Sequence, residues 1–240
     1  MLDKHPHYVV FNGKSLADFG VYISGNGTFG TAERDYETVQ VPGKNGDLLF
    51  DNGRFSNTAV SYPAWIAEDF NENYRELASF LMSDLDYHRL EDTYHPDEYR
   101  LAYFTGGMDP SVFDFIFGAF NLTFTCKPQR FLKIGENPVE FTSSGTIDNP
   151  SSMTAKPQIN VYGHGEITIG DRKVVIAENP YPYICIDSEL FDCYAGFNAN
   201  ANSYVTLENG FPELPKGRSS ITIHDSTITK IEIVPRWWRL

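Results

Sequence analysis

The sequence predicts a mainly β protein, with an N-terminal β-barrel-like domain that carries one α-helix and a C-terminal β-sandwich. Aromatic residues make up 15% of the 240 residues and are accompanied by 19 glycines and 14 prolines, a composition typical of all-β proteins. Helical periodicity is confined to one segment of the first half. In the second half, short apolar segments recur between turn residues, as they do in sandwiches.

A β-hairpin is predicted over residues 34–53, and the first half is expected to be built around it. Over residues 36–41, Tyr36, Thr38 and Gln40 alternate with Glu37, Val39 and Val41, and an alternation of this kind in β-prone residues indicates a strand. This strand is expected to end at Pro42, because proline has no N–H to donate to a neighbouring strand. The second strand begins with residues 48–50 and is expected to end at residues 51–53, Asp-Asn-Gly.

The turn of this hairpin is rich in residues that tolerate a positive φ. Gly43 and the pair Asn45 and Gly46 predict a tight connection between the two strands. Both glycines are expected at positive φ, where a Cβ is costly.

One amphipathic helix is predicted, with Pro63 as its first residue, a position that proline favours. Its apolar face is given by residues spaced three and four apart: Ile66, Phe70, Tyr74, Leu77 and Leu81. The remaining predicted strands of the first half are residues 8–11, 16–23, 55–62, 99–104 and 113–124.

A change of composition to Pro, Ser, Thr, Gly and Asn over residues 137–157 indicates the domain junction. We therefore predict domains at residues 1–135 and 136–240. Seven short strands are predicted beyond the junction: Gln158–Tyr162, Glu166–Ile169, Lys173–Ile176, Tyr183–Ile186, Tyr204–Leu207, Ser220–His224 and Lys230–Val234.

Charge argues against a nucleic-acid reader. The formal net charge is −13, and up to Gly135 there are 11 Lys and Arg against 19 Asp and Glu. Sequence-specific nucleic-acid binding needs a basic footprint. Six acids lie between Asp84 and Glu98; we interpret them as a solvated surface in preference to a metal or catalytic site.

Membrane insertion and secretion are not predicted either. No apolar run approaches the roughly 20 residues needed to span a bilayer. The N-terminus lacks the long apolar segment of a signal peptide, so we expect the protein to be made and kept in a cytosol. Cys126, Cys185 and Cys193 are widely spaced and are interpreted as reduced packing residues.

Catalytic motifs are missing from the sequence, so we expect no enzyme, metal or cofactor. Asp69, Asn71 and Asn73 imitate the start of a calcium loop, but Tyr74 and Phe80 occupy the positions of its glycine and its glutamate.

Three weaker features remain. His5-Pro6-His7 is interpreted as a frayed terminus. His164 and Glu166 could form an acid–base pair, although two exposed hairpin residues are the preferred interpretation. Trp237 and Trp238 could form a binding patch or cover the sandwich core.

Short motifs in order along nearly the whole chain resemble the distal tail proteins of long-tailed, non-contractile phages of Gram-positive bacteria. In the first half these are Phe11-Asn12-Gly13, Asp18-Phe19-Gly20-Val21, Val41-Pro42-Gly43-Lys44-Asn45-Gly46 and Cys126-Lys127-Pro128. In the second half they are Lys156-Pro157, Gly163-His164-Gly165, Ile184-Cys185-Ile186-Asp187-Ser188, the segment 211–217, and Ile233-Val234-Pro235-Arg236-Trp237-Trp238.

The resemblance implies a structural hub in the virion tail tip, assembled in the host bacterial cytoplasm. The first domain would form a hexameric ring that continues the tail tube, and the second would be a galectin-like β-sandwich facing outward. The implied partners are other copies of the chain, the major tail tube protein, the tail-tip protein and receptor-binding proteins. Together with the exposed hairpin edges, it places the ring contacts at Val41, Pro42, Gly43, Lys44, Asn45, Gly46 and Asp47.

The sequence departs from the family pattern at one turn of the second half, and it lacks the residues of a galectin sugar site. Relatives often carry an asparagine shortly after the glycine that matches Gly217, where this chain has Arg218, Ser219 and Ser220. The main alternative function is a carbohydrate-binding module on the sandwich, but the galectin cluster of His, Asn, Arg and Trp is missing there, since Trp65 lies in the first half. A hydrolase with an unrecognised site is a third alternative.

Overall fold

Strands dominate both units into which the computed structural model of the chain divides, residues 1–130 with Leu240 and residues 131–239. The structure describes residues 7–25, 28–114, 116–196 and 199–240. The predicted mainly β class, with a barrel-like first domain and a sandwich second, is confirmed. Of the predicted frayed segment His5-Pro6-His7, the first two residues lie outside the described part of the chain.

The first unit contains ten strands, one α-helix and a 3-10 helix at Leu16–Phe19. The strands are β1 Val9–Phe11, β2 Lys14–Ser15, β3 Val21–Ile23, β4 Arg34–Val39, β5 Leu48–Phe55, β6 Thr58–Ile66, β7 His88–Asp92, β8 Glu98–Tyr103, β9 Ser111–Phe113 and β10 Phe117–Cys126; the helix, α1, is Phe70–Leu81. One antiparallel sheet runs in the order β2-β1-β7-β8-β10-β6-β3, and β9 pairs with β10. Strands β4 and β5 form a separate two-stranded sheet.

The predicted helix exists, but its predicted start at Pro63 is wrong. Pro63 lies inside β6, and α1 begins at Phe70. The Pro63 carbonyl accepts a hydrogen bond from the Ser24 N–H at 2.9 Å, and β3 ends at Ile23. Pro63 therefore faces the chain just beyond the end of β3. Its missing N–H would have pointed to a position where β3 no longer pairs, so little pairing is lost.

Helix α1 packs on the sheet through its apolar face. Phe70, Leu77 and Leu81 are buried, as the predicted spacing requires. The ring of Phe70 lies directly over Gly118 of β10: a Cβ built on Gly118 would be 2.1 Å from the nearest ring atom. The absence of a side chain at Gly118 is thus what lets the start of the helix approach the sheet.

The remaining strands run from β11 to β23. They are β11 Arg130–Leu132, β12 Val139–Phe141, β13 Gly145–Asn149, β14 Gln158–Tyr162, β15 Gly165–Ile169, β16 Arg172–Ile176, β17 Ile184–Asp187, β18 Asp192–Ala195, β19 Ala199–Asn200, β20 Val205–Glu208, β21 Gly217–Ile223, β22 Lys230–Val234 and β23 Trp238–Arg239. Short 3-10 helices span Lys133–Glu136 and Asn202–Tyr204.

Two antiparallel sheets form the second unit, in the orders β12-β22-β14-β17-β18-β19 and β13-β21-β15-β16-β20. Alternate residues of their strands are fully buried, such as Ile159 and Val161 in β14 and Ile167 and Ile169 in β15. They share one core, which is the arrangement of a sandwich.

Several elements differ from the predictions. The segment 137–157, predicted as a junction, contains β12 and β13 of the second unit. Strand β18 was not predicted. Strand β5 does not end at Asp51 but continues through Gly53 to Phe55, because a bulge opposite Asp35 and Tyr36 accommodates the extra residues.

Candidate assembly surface

The β4–β5 hairpin is exposed along almost its whole length. Its two strands pair only with each other among the described residues. Of its 14 strand residues, only Asp35 and Phe55 are half-buried, and the others are exposed. A two-stranded hairpin with neither face covered is marginally stable in water, so this element has the properties of a segment that is completed by a partner.

Both faces of the hairpin carry apolar side chains. The register pairs Thr38 with Leu49 on one face and Val39 with Leu48 on the other. Leu49 is 72% exposed and Phe50 53% exposed. Contiguous exposed apolar side chains on a water-facing element mark interaction sites.

Polar contacts fix the base of the hairpin in its present register. Asp51 accepts hydrogen bonds from the Arg34 guanidinium and from the Gly53 N–H. Asp35 accepts from the Asn52 amide at 2.9 Å and from Arg54. The Gly53 and Arg34 hydrogen bonds lower the pKa of Asp51, and those of Asn52 and Arg54 lower the pKa of Asp35. Both carboxylates are therefore charged at neutral pH.

The loop at residues 41–47 is the predicted contact site. Val41 and Lys44 are joined by a backbone hydrogen bond of 3.1 Å, with Pro42 and Gly43 between them. Gly43 has a φ of 80°, so these residues form a type II turn. Gly46 has a φ of 79°, and the predicted positive φ of both glycines is confirmed.

Every loop side chain after Val41 is open to solvent. Pro42, Lys44, Asn45 and Asp47 are exposed. No side-chain hydrogen bond or ion pair is found for Lys44, Asn45 or Asp47 within the part of the chain that the structure describes. That these residues contact a neighbour remains a prediction.

A second exposed apolar group was not predicted. Val112, Phe113, Ile116 and Phe117 surround the tip of the β9–β10 hairpin, and Phe113 is 70% exposed. Residues 113–124 were predicted as one strand, which hid the turn. The sequence signal for this turn is Asp114, because aspartate is common in turns and tolerates a positive φ. In the structure its φ is 50°.

The acidic run is only partly the solvated surface that was predicted. Asp84, Asp86 and Asp97 are exposed. Glu98, in contrast, is buried, and its carboxylate lies 3.8 Å from the Arg130 guanidinium. Asp92 accepts a hydrogen bond from the Tyr62 hydroxyl at 2.8 Å. The sequence alone could not distinguish the exposed acids from the buried ones. The difference depends on β7, which ends at Asp92, and on β8, which begins at Glu98.

The proposed acid–base pair of His164 and Glu166 does not form. Glu166 instead lies 2.9 Å from the Lys173 ammonium and 3.8 Å from Nε2 of His224. His164 contributes its backbone carbonyl, which accepts from Thr227. Glu166 is thus engaged by the Lys173 ammonium of the neighbouring strand β16, as in an ordinary surface ion pair.

The remaining candidates belong to the core. All three cysteines are free and buried, as predicted, and burial raises the pKa of Cys126 and of Cys193 to about 12. Trp237 is buried in the sandwich core, and Trp238 packs against it, so the tryptophans cover the core. Among the described residues, no group of three or more His, Cys, Asp or Glu could hold a metal ion.

Within the described segments, no helix has both the length and the apolar character required to cross a membrane.

The first unit is similar to a family of phage tail domains. Residues 14–126, which make up most of the first unit, match the family model described as a phage tail protein RIFT-related domain. No curated protein sequence matches the chain.

A crystal structure of one phage protein is similar in fold to nearly all of the chain. It is the SPP1 Dit (gp 19.1) protein, described as a paradigm of the hub adsorption apparatus in phages that infect Gram-positive bacteria. The TM-score is 0.71 at 11% identity, and the match covers 95% of this chain and 97% of that one. The resemblance to distal tail proteins is thereby confirmed.

Proposed function

We propose that the chain is a structural hub of a phage or prophage tail tip and that it assembles into a six-membered ring through its first unit. The single observation that carries the assembly step is the β4–β5 hairpin, whose two faces and turn are exposed although they bear apolar side chains. In such a ring, one surface of each copy contacts a different surface of the next copy.

In this proposal the ring joins the major tail tube protein on one side to the tail-tip protein on the other. The second unit is a galectin-like sandwich that faces outward and holds receptor-binding proteins. The support is the fold shared with SPP1 Dit over 95% of this chain and the family match of the first unit.

The alternative of a carbohydrate-binding module on the sandwich gains no support from the cleft described there. An open cleft in the second unit is lined by Ser143, Ser144, His224, Asp225 and neighbouring residues. No Phe, Tyr or Trp side chain lines this cleft, so it offers no flat apolar surface for a sugar ring.

The acidic charge fits a ring that DNA traverses. Lysine and arginine contacts with phosphate would hold the DNA by counterion release, whereas acids repel it over about 8 Å at physiological salt. Asp84, Asp86 and Asp97 are the exposed acids of residues 84–98, and we assign them to the channel side. The electrostatic potential on the inner surface of the assembled ring tests this; a neutral or positive lumen rejects it and leaves the hub assignment intact.

Electron microscopy of the purified full-length protein tests the proposal as a whole. We expect rings with six-fold averages and a central hole. Monomers that are retarded on a glycan column would instead support the carbohydrate-binding alternative, and monomers that are not retarded would reject both.

A further inference from the structure

An open cleft on the outward face of the first-unit sheet has a volume of about 470 Å³, within the range of ligand sites. We propose that this cleft binds a hexopyranose sugar, and that the first unit rather than the sandwich carries the carbohydrate site of the chain. The proposal goes beyond the hub assignment and does not depend on it.

The floor of the cleft follows from the register of four strands. Trp65 of β6 lies opposite Tyr22 of β3 and opposite Ala119 of β10, and Ala119 lies opposite Ser111 of β9. Ala119 therefore lies between Trp65 and Ser111 on this face, and its side chain is only a methyl group. The cleft exists because this small residue leaves the space beside Trp65 unfilled.

Aromatic side chains supply the apolar wall. Trp65 lines the cleft, and its ring centroid lies 6.2 Å from that of the neighbouring Tyr22. Phe117, two residues before Ala119 and therefore on the same face of β10, lines the cleft and is 41% exposed. Rings that line an open cleft offer flat apolar surfaces of large area.

Polar side chains also line the cleft. Asn121 lies opposite Pro63, and Asp109, Ser111 and Ser24 line the same space. None of these four polar side chains makes a hydrogen bond within the described segments of the chain. A carboxylate, an amide and two hydroxyls are therefore available to a ligand, without breaking any internal contact.

This combination matches a pyranose ring. Such a ring has an apolar face of C–H groups, which stacks on an aromatic side chain, and a rim of hydroxyls that both donate and accept. Asp109 accepts from sugar hydroxyls, and the Asn121 amide donates and accepts. The cleft carries no Lys or Arg, so the expected sugar is uncharged rather than phosphorylated or acidic.

Saturation-transfer NMR on the full-length protein tests the assignment, because its signal survives in a large assembly. The probes are methyl glucoside, methyl galactoside and N-acetylglucosamine, with glycerol as a polyol that lacks a ring. We expect at least one pyranoside to give a saturable signal that glycerol does not give. No pyranoside signal, or an equal glycerol signal, overturns the proposal.

Variants locate the site. Ala119→Leu fills the cleft and Asn121→Ala removes an amide, and each should weaken binding by at least about tenfold. Thr123→Leu, on the same strand and outside the cleft, is the matched control and should change binding less than about twofold. Equal binding by all variants overturns the assignment to this cleft.

The mass of the same variants in solution shows whether the cleft is a sugar site or a contact between copies of the chain. If Ala119→Leu breaks up the assembly and no pyranoside binds, the cleft is a contact between copies of the chain and the sugar proposal is wrong. Sugar binding by a protein that forms no ring would leave this proposal standing and reject the hub assignment.

Discussion

The carboxylate of Asp187 accepts two hydrogen bonds from the Arg236 guanidinium, at 2.7 and 2.8 Å. Asp187 is buried, with 1% of its surface exposed. The N–H groups of Glu189 and Leu190 also donate to it. This ion pair joins the end of β17 to the segment that leads from β22 to Trp237, so it holds the last residues of the second unit against its sheet.

Asp187→Asn should lower the free energy of unfolding of the second unit by about 2 kcal/mol, because the half-buried Arg236 guanidinium loses its countercharge. Urea denaturation followed by tryptophan fluorescence measures this effect, since Trp237 and Trp238 lie in that unit. Asp148→Asn is the matched control: its partner, Arg218, and Asp148 itself are both exposed, so the change should be below about 1 kcal/mol. Equal losses in the two variants would refute the account.

Acid should weaken the second unit through the same carboxylate. Burial raises the pKa of Asp187, but the hydrogen bonds from Arg236 and from the backbone outweigh burial and hold the pKa below its ordinary value. A lowered folded-state pKa contributes stability that is complete above the unfolded pKa, about 4, and is lost as the pH falls through the folded value.

The urea midpoint of the wild-type protein should therefore fall between about pH 5 and about pH 3 more steeply than that of Asp187→Asn. Parallel curves for the two proteins would show that this carboxylate does not carry the dependence.

Gly118→Ala should destabilise the first unit by about 2 kcal/mol, because the added methyl overlaps the Phe70 ring and forces the helix away. Thermal unfolding measures the loss. Phe70→Leu removes the ring with which the new methyl group would clash. In that background Gly118→Ala should therefore lower the stability by less. The same cost in both backgrounds would mean that the ring is not the obstacle.

Gly43→Val and Gly46→Val should each strain the hairpin turn by about 1–2 kcal/mol, since a side chain is costly at positive φ. No atom lies within 4 Å of a Cβ at either position, so the cost comes from the backbone and not from a clash. Gly30→Val, also in open space but not at positive φ, is the control. We expect both turn variants to lower the thermal stability of the assembly, and unchanged melting and assembly would reject the strained turn.

The sequence predicts the fold where one local signal dominates. Strands β14 and β22 match their predicted bounds because each alternates buried and half-buried residues between clear turns. Pro63 misled the helix prediction, because its tolerance inside β6 depends on where β3 ends, which is a tertiary fact. The prediction ended β5 too early because Asp51-Asn52-Gly53 is typical of a turn, whereas in the structure these residues form a bulge opposite Asp35 and Tyr36.

The candidate site was predictable only in part. The turn glycines and the exposed hairpin follow from local residue chemistry. The cleft beside Ala119 does not, because Trp65, Ser111 and Asn121 come from three strands whose register is set by pairing. The link between Asp187 and Arg236 likewise joins residues 49 apart in sequence.

The mass of the full-length protein in solution, compared with that of Leu49→Lys and Phe50→Lys, tests the central claim most directly. Both changes place a charge on exposed apolar positions of the hairpin, and Leu190→Lys, an exposed leucine of the second unit, is the control. The account predicts six copies for the wild type and the control, and smaller species for the two hairpin variants. A wild-type protein that is monomeric at high concentration, or hairpin variants that keep the full mass, would contradict it.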